Sequence, residues 1–162
     1  MRIDINGTYL EEVDKYLKAE YKKAIAEVAE HTYGSFNGLT LGQWIDCSEG
    51  RFERVVGEIR GTWLQVYWLR SFVEEAKRFP ETLANLSPKM DADEQRAASN
   101  LLQTTLVESV MVFARSYFGL PSFKATEGLT IGEVLIAKKA AYNESIFQRR
   151  YSKIQLEKAK RK

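Results

Sequence analysis

The chain has 162 residues, 44% hydrophobic and 28% charged, with 24 basic and 22 acidic side chains. So apolar a chain can bury a core, which excludes a disordered polymer, and no apolar run approaches the roughly 18 residues needed to span a membrane. A single cysteine, Cys47, excludes an internal disulfide framework, and a single histidine, His31, excludes most histidine-dependent chemistry.

The polar opening, Met1 to Thr8, does not read as a secretory signal. Thr8 and Glu11 have the spacing of a capping box, and Leu10, Leu17, Tyr21, Ala24 and Val28 follow on one helical stripe. The pattern predicts a first helix over about 9–31, stopped by the turn-rich run Tyr33-Gly34-Ser35-Phe36-Asn37-Gly38.

Gly38-Leu39-Thr40-Leu41-Gly42-Gln43 then recurs as Gly128-Leu129-Thr130-Ile131-Gly132-Glu133. Each copy reads as a helix start. Thr40 and Thr130 stand at N-caps, Gln43 and Glu133 three residues on are box partners, and Leu39–Trp44 and Leu129–Val134 have the spacing of a hydrophobic staple. A shared capping solution accounts for the six positions without duplication, and a true internal repeat is the rival reading.

Residues 52–79 are dense in large apolar side chains, and 63–69 contain one polar position, Gln65. At 100° per residue Phe52, Val55, Val56, Ile59, Trp63, Val66, Tyr67 and Val73 share one face. Leu64, Trp68 and Phe72 share another, on the side of Gly57 and Gly61. A helix is expected here, although this composition also suits a strand. Apolar on two faces, it needs more cover than one small domain offers. Gly57, Gly61, Leu64, Trp68, Arg70 and Phe72 are therefore the candidate interface with a second copy. Arg70 lies in the apolar stripe and reads either as an internal salt bridge or as an interface anchor.

Residues 80–93, with Pro80, Pro88 and several turn formers, read as a linker. Asp91 and Glu94 have capping-box spacing, and a helix is expected over about 92–118 with Ala98, Leu102, Leu106, Val110, Phe113 and Tyr117 as its core stripe. Gly119 and Pro121 close it. The last helix is expected from Thr130 towards Arg161. Its end carries Arg149, Arg150, Lys153, Lys158, Lys160, Arg161 and Lys162 against Glu157, a charge of +6 that leaves −4 on the rest of a +2 chain. These seven cations are the candidate site for an acidic partner, nucleic acid included. Ala140, Phe147, Tyr151 and Ile154 recur at near-heptad spacing, as in a helix that pairs with another chain.

No constellation carries chemistry. His31 has Glu27 and Glu20 on its side of the helix, but a di-iron bundle needs two Glu-x-x-His motifs. Cys47 reads as a buried thiol, and no phosphate-cradling glycine motif is present. No catalytic residue, metal or cofactor is expected.

Leu39-Thr40-Leu41-Gly42-Gln43-Trp44-Ile45-Asp46 and Leu129-Thr130-Ile131-Gly132-Glu133-Val134-Leu135 resemble helix starts in phage and prophage tail-assembly proteins, small helical chaperones of tail formation. Lys138-Lys139-Ala140-Ala141-Tyr142-Asn143 is similar to a run in their last helix. Their N-terminal hairpin has no counterpart in the early helix start at Thr8. The resemblance implies an assembly or structural component and carries no catalytic residues. The expectation is an all-α fold, a single compact domain of five or six helices, orthogonal or bundle-like, with a long C-terminal helix. Residues 1–147 would form that domain and 148–162 a basic helical tail. The function expected is that of a cytoplasmic, non-enzymatic interaction protein with protein partners, a homo-oligomer that touches no membrane. The alternative is a small nucleic-acid-associated protein acting through its tail.

Overall fold

A computed structural model describes residues 18–98 and 104–160. The fold is all-α, as expected. Among the described residues there are eight α-helices: α1 (Ala19–Tyr33), α2 (Leu41–Ser48), α3 (Glu53–Val56), α4 (Trp63–Asn85), α5 (Ala92–Ala98), α6 (Leu106–Tyr117), α7 (Phe123–Thr126) and the long α8 (Ile131–Lys160). A 3₁₀ turn covers Phe36–Gly38. The helices exceed the expected five or six because two predicted helices are broken and α7 is a short extra turn. The described residues group into two compact units, 18–78 with 127–131 and 79–126 with 132–160.

The first unit begins with α1. The predicted start at Tyr9 and the stripe residues Leu10 and Leu17 lie outside the described residues. The rest of that stripe is corrected: Tyr21, Ala24 and Val28 are exposed, and Ala29 is the buried residue. Ile25 and Tyr33 lie on the side of Ala29, so the inward face is rotated by about one position. The helix ends at Gly34, whose φ of 89° is free of strain only for glycine, and whose N–H bonds the Glu30 carbonyl at 2.8 Å.

The recurring motif explains the next step. Thr40 caps α2: its hydroxyl accepts the Gln43 N–H at 3.1 Å, and the Gln43 amide oxygen accepts the Thr40 N–H at 3.0 Å. Beyond capping, the two copies pair with each other as an isolated antiparallel bridge, Thr40 opposite Thr130. The Leu41 N–H donates to the Leu129 carbonyl at 2.8 Å, and the Ile131 N–H donates to the Leu39 carbonyl at 2.9 Å. This reciprocal exchange satisfies one orphan N–H at each helix start. Leu39, Leu41 and Ile131 are buried beside it. Gly42 lets the two segments approach: its N–H reaches the Glu127 carbonyl at 3.0 Å, and an added Cβ would stand 3.3 Å from that of Glu127.

The helix expected across 52–79 is broken. Gly57 and Gly61, at φ 72° and 66°, end α3 and turn the chain before α4. Nothing lies within 4 Å of a Cβ built on either glycine, so neither serves close helix packing. The lone polar residue of the apolar run holds this turn. Gln65 is buried; its amide N–H donates to the carbonyls of Glu58 at 2.9 Å and Val56 at 3.4 Å, and its oxygen accepts the Arg60 N–H at 3.0 Å. From Trp63 the segment is helical, not a strand. Trp68 and Phe72 turn inward, with rings stacked at 5.8 Å. Phe36 and Phe52 meet Phe72 at 5.8 and 5.9 Å, and Tyr33 meets Trp68 edge-on at 6.0 Å. The Trp68 indole N–H donates to the Gly34 carbonyl at 2.7 Å, so its one polar atom is buried without a penalty.

In the second unit, Phe79 and Leu83 at the end of α4 are buried. The expected linker at 80–93 is corrected, because helix continues through Pro80 to Asn85. An interior proline removes one helical hydrogen bond and costs about 3 kcal/mol, which the burial of Phe79 and Leu83 on either side of it offsets. Asp91 and Glu94 form the predicted box, with mutual N–H to carboxylate bonds of 2.9 Å. The single helix expected over 92–118 is also corrected. Thr105 and Glu108 form a capping box that starts α6 afresh. Val110, Met111 and Ala114 are buried, whereas Leu106 and Tyr117 are exposed; Leu102 and the Ala98 side chain lie outside the described residues. Gly119, at φ 62°, follows α6 as predicted. In α8, Val134 and Ala137 are buried, and Lys138 lays its ammonium 4.2 Å from the Phe113 ring centre. Burial holds that amine below the usual lysine range. The expected boundary at 147/148 falls inside α8, which runs on without a break.

Candidate functional site

Helix α8 has two apolar sides. At 100° per residue, Ile136, Ala140, Phe147, Tyr151 and Ile154 project opposite Val134 and Ala141. This outer stripe lies in water: Ile136 is 72% exposed, Phe147 61%, and Tyr151 and Ile154 50% each. From Ile136 to Ile154 it extends about 27 Å at 1.5 Å per residue. The Phe147 and Tyr151 rings stack at 6.0 Å with 17° between their planes. Asn143 lies on the same face between Ala140 and Phe147, so the larger unbroken apolar patch is Phe147, Tyr151 and Ile154; a cluster of exposed apolar side chains marks an interaction surface more often than a lone exposed residue does.

The tail cations do not act as one set. Arg149 is committed inside its own unit: Nη2 reaches the Glu94 carboxylate at 2.9 and 3.1 Å, and Nη1 the Lys89 carbonyl at 2.9 Å. Arg150, Lys153, Lys158 and Lys160 are exposed along the last turns of α8. Arg161 and Lys162 lie outside the described residues.

The residues expected to form an interface on the central helix do not share a surface. Gly57 and Gly61 sit in the turn before α4. Trp68, 4% exposed, and Phe72 belong to the first unit's core, and Leu64 is half-buried. The expectation of Trp68 at a contact with another copy is therefore corrected. Breaking the helix at Gly57 lets Phe52 and Phe36 cover the face that seemed to need a second chain. Arg70 is half-exposed beside Glu74, Nε to Oε1 3.5 Å.

The residue types that could carry chemistry sit in ordinary surroundings. His31 is exposed in the last turn of α1. Cys47 is buried, and burial, with the Asp46 charge beside it, pushes its thiol up to about 12. A protonated, covered thiol is a poor nucleophile. Asp46 instead anchors a loop. It accepts from Arg51 Nε at 2.7 Å and Arg54 Nη1 at 2.9 Å, and the Arg51 hydrogen bond holds its carboxyl below the usual range. Arg51 also pairs with Glu49. Among the described residues, no group of three or more His, Cys, Asp or Glu is placed to hold a metal ion, and no helix is long and apolar enough to cross a membrane.

The first unit also contains a cleft of about 350 Å³ between α1, the turn at 34–37 and the first half of α4. Trp68, Phe72 and Phe36 line it, with Glu30 and Glu75. Sequence spacing gave no sign of it, because its walls come from three segments that only the fold brings together. Comparison of the chain with known protein families, with curated proteins and with solved structures finds no match.

Proposed function

We propose that the protein is a non-enzymatic helical interaction protein that self-associates through the outer face of α8, acting in the cytoplasm as a phage or prophage assembly component. The observation that carries this reading is the exposed stripe Ile136, Ala140, Phe147, Tyr151 and Ile154. Leaving several large apolar side chains in water forgoes about 1.5–3 kcal/mol for each that a partner could bury. A second α8 offers the same stripe and is the simplest cover. The tail-assembly reading adds a context and rests on the resemblance at Leu39 to Asp46 and Leu129 to Leu135.

Sedimentation velocity tests the reading. The wild type should sediment as a dimer or larger species, and Phe147→Glu/Tyr151→Glu as a monomer of unchanged helical content. A wild-type monomer at high concentration refutes it. A second reading, binding of nucleic acid, is favoured by Arg150, Lys153, Lys158 and Lys160, all exposed on one helix end. It predicts affinity for DNA that falls steeply with salt and is lost when residues 152–162 are removed.

A further inference from the structure

We propose that two copies of α8 pair antiparallel, with Tyr151 of one chain against Ile154 of the second copy. The proposal rests on the reading of the outer face of α8 as a self-association surface, and it gives that surface its orientation and register. Glu144, Phe147, Tyr151, Ile154 and Lys158 recur at alternating spacings of three and four, the a and d positions of a heptad. At 100° per residue they fall within about 80° of one another. All five are exposed, as is every residue from 147 to 160. Gln148 and Gln155 flank this seam on one side, Arg150 and Glu157 on the other. Among the described residues no ion pair holds Glu144, Arg150, Glu157 or Lys158, whereas Arg149 is held by Glu94.

The charges choose the orientation. In a parallel pair each seam residue meets its own copy, so Glu144 would face Glu144 and Lys158 would face Lys158. The cationic ends of both helices would also lie side by side, and Arg150 would face the neutral Gln155. An antiparallel pair runs the Glu144 end of each seam beside the Lys158 end of the other. Its like flanks then meet: Arg150 faces Glu157 twice, by two-fold symmetry, and Gln148 faces Gln155. The register follows from the same charges. With Tyr151 against Ile154, Lys158 lies against the Phe147 ring, where an ammonium is favoured. Sliding the pair by one heptad sets Arg150 against Arg150. The seam is short, so these charges fix orientation and register more than they add affinity.

Disulfide cross-linking beside sedimentation tests the proposal. Gln148→Cys and Gln155→Cys chains are mixed and oxidised; native Cys47 is buried. The mixed 148–155 disulfide should dominate. Two copies of position 148 would stand about 13.5 Å apart along the axis at 1.5 Å per residue, beyond the roughly 7 Å between Cα atoms that a disulfide bridges. Arg150→Glu should weaken the dimer about tenfold, through two symmetry-related pairs turned repulsive, and Arg150→Glu/Glu157→Arg should restore it. All four positions are exposed, and circular dichroism checks that helical content is unchanged. A wild-type dimer without preference for the 148–155 disulfide, or one that the charge exchange fails to restore, overturns this proposal and leaves self-association standing. A wild type that stays monomeric, whether or not it binds DNA, refutes both.

Discussion

Replacing Gln65 with leucine removes the clamp on the turn between α3 and α4 at nearly constant volume. In the native protein the amide makes three hydrogen bonds to backbone, to Val56, Glu58 and Arg60. After the change, water can reach the Glu58 and Arg60 groups, whose residues are exposed, but the Val56 residue is buried. An orphaned buried carbonyl costs about 1–3 kcal/mol, and each replaced hydrogen bond about 0.5–1.5 kcal/mol. Burying the leucine side chain returns part of this, which leaves a net loss of about 2–4 kcal/mol. Against a total stability of about 5–15 kcal/mol, that is a large shift. Urea denaturation should show a lower midpoint at unchanged slope. Gln65→Glu provides an internal control. At neutral pH it sets a carboxylate against two carbonyl oxygens, and protonation in mild acid should recover part of the loss. A Gln65→Leu protein within about 0.5 kcal/mol of wild type, the usual range for neutral surface changes, would refute the role given to this side chain.

Thr40→Ala removes one N-cap and should cost about 0.5–2 kcal/mol in the same assay; Thr130→Ala, at the start of α8, should cost a similar amount. Asp46 and Glu108 have carboxyls held below their ordinary range, the first by Arg51, the second by the Thr105 backbone N–H and hydroxyl. Their folded pKa values are below the unfolded ones, so their stabilisation is complete above about pH 5 and is lost as pH falls through the unfolded value towards the folded one. Asp46→Asn should flatten that acid limb in thermal melts recorded across pH 3–6. Cys47 should react with a disulfide reagent only as fast as the protein unfolds, because its thiol is buried and protonated; rapid labelling of native protein would contradict its placement.

Local rules made much of the fold legible. The Thr40–Gln43 and Asp91–Glu94 boxes, the stop at Gly119 and the length of α8 all follow from short-range chemistry and lie close to where the residues predict them. The errors share a physical origin. Periodicity alone carried a helix through Gly57 and Gly61, although two glycines four residues apart also suit a turn with positive φ, and the decision rests on Gln65, whose partners are backbone groups. Pro80 suggests a break by its local chemistry, yet burial of Phe79 and Leu83 outweighs its cost. The pairing of the two Gly-Leu-Thr segments is tertiary: capping explained each copy by itself and so concealed that they bond to each other. The Phe147, Tyr151 and Ile154 spacing is legible in the sequence, whereas its exposure, and the capture of Arg149 by Glu94, depend on the fold.

The most direct test of the central claim, that the outer face of α8 seats a second copy, is a spin label at Gln148→Cys. This position is exposed one residue from Phe147, and native Cys47 should stay unlabelled because it is buried. Double electron–electron resonance on the singly labelled protein sees only distances between chains. The account predicts a resolved intermolecular distance that disappears when Ile154→Glu is added. A signal without intermolecular modulation at high protein concentration, or one that persists with Ile154→Glu, would contradict it.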